Sequence, residues 1–142
     1  MSDTSKYIIS ELTIPPSKKE HMSEAVKYVN PLIWVDSEVL PGAFQFFVGW
    51  IPVDHGPTPE DDVNHMHDSD EILGFCGSDP EHPEDLCGEV EIWLDGEQHI
   101  FTKSTVVFIP AGMKHNPMTI NRADRPIIHF SAAPTKIFEA HH

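Results

Sequence analysis

Four residues of this 142-residue chain have the types and spacing of metal ligands. His65-Met66-His67 sets two imidazoles at i and i+2. On a β-strand, alternation turns both to one face, a few ångströms apart. Glu71 follows four residues later with the same parity, and a hairpin turn through Asp68-Ser69-Asp70 would return its carboxylate to the pair. His115 arrives separately, behind a Pro110-Ala111-Gly112 turn. Three neutral imidazoles and one carboxylate suit one divalent transition metal (Fe, Mn, Ni, Co or Zn) and leave positions open for a ligand or water. A His-x-His pair alone means little in a chain with 10 histidines. Joined to Glu71 and to a downstream Pro-x-Gly-x-x-His, it is rarely coincidence. Because the ligands must be neutral imidazoles, binding is expected to fail as pH falls through roughly 5–6.

Other candidates rank lower. Asp68 and Asp70 read as turn residues. His129 reads first as a buried structural histidine and second as a base behind the metal ligands. His55, His82 and His99 fall in loops or at hairpin ends and are expected to face solvent. Tyr7 and Tyr28 lie far from the motifs in sequence, which leaves His129 or a metal-bound water for proton transfer. His141 and His142 are set aside as tag-like. Aromatic residues, among them Trp34, Phe44, Phe46, Phe75, Phe108 and Phe130, are expected to fill the core. Some would wall an apolar pocket suited to an aromatic or short aliphatic ligand. Lys103, Lys114, Arg122 and Arg125 are scattered, which argues against sugar phosphates and nucleotides.

The elements that must position these residues are mostly strands. Residues 7–13 read as a first strand, ended by Pro15-Pro16. Ser17 and Glu20 form a capping-box pattern, and Met22, Ala25, Val26 and Val29 give one apolar helical face, predicting a short helix over 18–29. Strands are then expected at 32–36, 43–53, 63–67, 71–76, 89–94, 98–101, 105–109, 117–121 and 126–132. Asp95-Gly96 is the strongest hairpin-turn signal in the chain. Residues 78–88 are expected to be a solvated surface excursion rather than a lid. Short strands punctuated by 13 prolines and 8 glycines imply an all-β sandwich or barrel.

With those motifs in place, the chain resembles the cupin superfamily. The first cupin motif closes with a glycine, here Gly77, one residue short of the usual spacing; Pro59 stands where its opening glycine is expected. The second motif is matched by Pro110-Ala111-Gly112-Met113-Lys114-His115, with Ser104 and Thr119 in place of its glycine and asparagine. The likeness covers residues 63–119. It implies an all-β jelly-roll barrel, a double-stranded β-helix, with one metal held by His65, His67, Glu71 and His115. It also implies a single cupin domain over 1–142, with 1–42 as an N-terminal extension and about 43–132 as the barrel. It does not choose an activity, because cupins include dioxygenases, decarboxylases, isomerases, lyases and small-ligand binders.

Composition agrees with one globular domain: 39% hydrophobic and 23% charged residues. Nine Lys+Arg against 23 Asp+Glu give a net charge of −14, which sets nucleic-acid and membrane-surface partners aside. No secretory signal is visible and no apolar run reaches membrane-spanning length, so the expected location is cytoplasmic. Cys76 and Cys87 are expected to be reduced. Residues 43–53 are apolar on both faces, which points to a homodimer. The expected function is a mononuclear, metal-dependent enzyme acting on a small chelating organic molecule. The alternative is a metal-binding module that holds or senses a ligand without turnover.

Overall fold

Period-two burial shapes most of this chain, and the strands it produces belong to two main antiparallel sheets. The computed structural model describes residues 3–59, 65–116 and 118–136, and the backbone of 140–141. After two 3₁₀ turns, Ser5–Tyr7 and Pro16–Lys18, comes one short helix, α1 (Lys19–Ala25). The strands are β1 (Asn30–Val35), β2 (Gln45–Ile51), β3 (Met66–His67), β4 (Glu71–Gly77), β5 (Asp85–Leu94), β6 (Glu97–Lys103), β7 (Thr105–Ile109), β8 (Thr119–Ala123), β9 (Ile127–Ala133) and β10 (Ala140–His141). One sheet runs β1-β2-β9-β4-β7, a second β6-β5-β8, and a third pairs β10 with β3. The core lies between the two larger sheets. Trp34, Phe47, Ile51, Phe75 and Ile127 come from the first, and Leu86, Val90, Ile120 and Ala123 from the second.

Several expectations change in physical detail. Residues 7–13 do not form a strand: Tyr7 ends a 3₁₀ turn and residues 8–13 pair with nothing regular. Ile8 is 72% exposed, so β propensity there has no sheet to join. Ser17 and Glu20 do not close a capping box; the Ser17 hydroxyl donates to Glu38, and α1 follows directly on the 3₁₀ turn. Met22 and Val29 are buried as expected, whereas Val26 is exposed. Asn30 opens β1 rather than merely ending the helix, so the first sheet already includes residues 30–35. Asp85 to Gly88 belong to β5, and Leu86 among them is fully buried. The remaining acidic stretch, 80–84, is exposed as expected. Of the expected strand 63–67, residues 63 and 64 lie outside the described residues. The tail set aside as tag-like takes part in the fold, since the backbone of Ala140–His141 pairs with Met66–His67; His142 lies outside the described residues.

Two turns match their chemistry closely. Asp95 and Gly96 have φ of +49° and +84°, the doubly left-handed backbone that joins β5 to β6. Gly112 has φ of +81° in the turn leading to His115. Both cysteines are free thiols. Among the described residues, no helix is long and apolar enough to cross a membrane.

Candidate metal centre

His65 and His67 flank Met66 at the edge of the core, and their rings lie 5.0 Å apart between centroids, as strand alternation requires. His115 is brought to them by the backbone itself. The His65 N–H donates to the His115 carbonyl at 2.8 Å and the His115 N–H returns the bond at 2.9 Å. Two candidate ligands are thus locked opposite each other by paired main-chain hydrogen bonds. The Pro110-Ala111-Gly112 turn is tied to the same segment: the Gly112 N–H donates to the His67 carbonyl at 2.9 Å, and the Ala111 N–H to Asp70 Oδ1 at 2.9 Å. Asp70 is therefore a turn clamp, in line with the turn reading of its sequence.

Glu71 reaches the cluster by a different route from the expected hairpin. β3 pairs with β10, whereas β4 pairs with β7 and β9, so residues 68–70 form a corner between sheets. The corner sets Glu71 at the first position of β4, facing inward and 5% exposed. Its Oε1 lies 3.4 Å from His115 Nε2 and 3.7 Å from His67 Nε2.

The donor atoms of His65, His67 and His115 all lie within 4.8 Å of one another. His115 Nδ1 sits 3.2 Å from the Met113 carbonyl, so Nε2 is the ring nitrogen turned toward Glu71. Three imidazoles and a buried carboxylate meeting at these distances are a donor set that fits a divalent metal.

Above the cluster is a cavity of about 430 Å³. Phe47, Leu73 and Met118 supply apolar wall, and α1 with the turn after it contributes His21, Met22, Ala25 and Tyr28. His129 also lines the cavity. Its Nδ1 donates to the Gly74 carbonyl at 2.9 Å, and its ring stacks on Phe75 at 4.7 Å. Burial pulls its pKa down to about 4 against the opposing hydrogen bond, so the ring is neutral at neutral pH. These contacts hold the ring in place, as the structural reading expects, and leave Nε2 as the unprotonated nitrogen. His82 and His99 are exposed, and His55 is half-buried beside the Gly56 carbonyl; none lines the cavity.

Sequence reasoning missed Tyr28, His21 and Asn116. Tyr28 is distant from the motifs along the chain, yet the fold returns it to the cavity. Its pKa is pushed up to about 12 by burial and then by the charge of Glu24, so the phenol stays protonated. Asn116 is fully buried beside His115, and its Oδ1 accepts the Trp93 N–H at 2.7 Å. A signal for Asn116 existed in its adjacency to a candidate ligand. No signal existed for the helix residues.

No family model matches the sequence, and no curated protein does. Solved structures do. An oxalate oxidase aligns with a TM-score of 0.56 at 12% identity over 99% of this chain and 64% of that one. Peruvianin-I from Thevetia peruviana latex, described as a cysteine peptidase, gives 0.57 at 13% over 99% and 79%. A Silicibacter pomeroyi protein, described as a sugar phosphate isomerase from a cupin superfamily, gives 0.52 at 16% over 100% and 81%. This chain thus spans less than two thirds of the oxalate oxidase. Identities this low establish architecture alone, and that architecture is the cupin fold, a double-stranded β-helix.

Proposed function

We propose that this protein is a mononuclear metal-dependent enzyme in which His65, His67, Glu71 and His115 hold one divalent transition ion for work on a small chelating organic molecule. The observation that carries the reading is the meeting of three imidazoles and a buried carboxylate at a cavity of ligand size. When bound, such an ion supplies a Lewis acid and, if redox-active, an electron donor toward O₂.

The chain's own residues divide the remaining work. The paired backbone bonds between His65 and His115 fix two imidazoles before any ligand arrives. Phe47, Leu73 and Met118 exclude water from one side, which strengthens charge interactions inside. His129 Nε2, unprotonated because Nδ1 carries the proton, is an acceptor, while the Tyr28 phenol is a donor. Those two are the proton-handling side chains we assign to this cavity.

The test is reconstitution with Fe, Mn, Ni, Co and Zn separately, followed by screening of hydroxy, keto and enol substrates with and without O₂. Turnover restored by one metal and lost in Glu71→Gln supports the reading. Stoichiometric metal and ligand binding without turnover by any metal contradicts catalysis and favours the binding module instead.

A further inference from the structure

The cavity wall narrows the ligand class, and the narrowing rests on the metal-centre reading above. Met22, Trp34, Phe47, Leu73 and Met118 give the cavity an apolar stretch of wall, beside the polar His21 and Glu24 that α1 also contributes. Polar groups in the wall are partly engaged with the protein: Gln45 Nε2 donates to Ser131 Oγ at 3.2 Å, His129 Nδ1 to the Gly74 carbonyl, and Asn116 Oδ1 accepts from Trp93, whereas Gln45 Oε1 and Trp34 Nε1 are buried with no hydrogen-bond partner among the described residues. Among the described lining residues there is no arginine and a single lysine, Lys18. A phosphate would find no bidentate partner there.

We propose that the ligand is a metal chelator carrying one ring-sized apolar body and no phosphate, and that α1 with Tyr28 is the wall that selects it. The chelating head would sit toward His65, His67, Glu71 and His115, and the ring against Met22, Ala25 and Phe47. The volume of about 430 Å³ lies within the roughly 300–1,000 Å³ typical of small-molecule pockets. A chelator without a ring would leave that apolar wall wet and forgo its burial. Ala25 is the informative position. It lines the cavity, half-buried and packed against the edge of the core, so a larger side chain there intrudes on the ring space.

The experiment uses the Co(II)-loaded protein and two hydroxamates with the same chelating head, acetohydroxamate and benzohydroxamate, followed by Co(II) absorption. The wild type is expected to bind benzohydroxamate at least tenfold more tightly than acetohydroxamate. Ala25→Trp should lose most of that preference, keeping acetohydroxamate and Co(II) affinities within about twofold. Equal affinities of the wild type for the two hydroxamates would overturn the inference while leaving the metal centre standing. So would an unchanged preference in Ala25→Trp. Should that variant not fold, the wild-type comparison decides alone. Failure of the wild type to bind Co(II) would overturn the metal-centre reading, and this one with it.

Discussion

His65, His67, Glu71 and His115 were legible as a set because local rules place most of them. Strand alternation aligns the first two, and a left-handed Gly112 turns the chain toward the fourth. Glu71 is instructive, since the spacing was informative although the supposed hairpin does not form. Tyr28 and His21 were not legible, because a residue across a cavity is placed by tertiary packing and leaves no mark at i+2 or i+4. His129 yields a pH prediction. Its ordinary pKa of 6.5 falls to about 4 in the folded protein, so between these values the unfolded chain takes up a proton that the folded one refuses. This contribution is intact above pH 6.5 and lost as pH falls toward 4, by roughly 3 kcal/mol in all. Urea unfolding at pH 7 and 4.5 should therefore show a smaller acid loss in His129→Gln than in the wild type. Equal losses would place the acid sensitivity elsewhere.

At the scale of elements, success followed the strength of local preference. Residues 105–109 are rich in β-branched side chains and form β7 with those bounds, and Asp95-Gly96 makes the expected hairpin turn. Residues 7–13 had a similar pattern and no neighbouring strand to receive it, so the pattern failed. The glycine closing the first motif has a structural reason. A Cβ on Gly77 would stand 2.0 Å from the Asp85 carbonyl oxygen at the start of β5, where neither backbone can yield cheaply. Gly77→Ala is expected to cost about 1–3 kcal/mol and lower Tm. Thermal unfolding beside Gly96→Ala separates close approach from turn strain. Gly96 has open space around it, and its substitution acts only through its positive φ. An unchanged Tm for Gly77→Ala would show that β5 can move aside.

Among the described residues, one face of the larger sheet is partly exposed. Phe46, Ala132, Ile72 and Phe108 are register partners in one row across four strands, and Val48, Phe130, Gly74 and Val106 form the next. Phe108 is 57% exposed and Val106 59%. So continuous an apolar surface on a chain of net charge −14 is expected to meet a second copy, because a two-fold pairing buries the same rows on both sides. Light scattering after size exclusion should give a dimer for the wild type and a monomer for Phe108→Asp. A monomeric wild type would contradict this.

The metal centre is tested most directly by metal content at neutral pH. Wild type, His67→Ala and His82→Ala would be purified identically, reconstituted and assayed for bound ion. His67 is buried within the cluster, whereas His82 is exposed on the acidic loop. About one ion per chain is expected in the wild type and in His82→Ala, with most of the affinity lost in His67→Ala. Equal retention of metal by the two variants would contradict it.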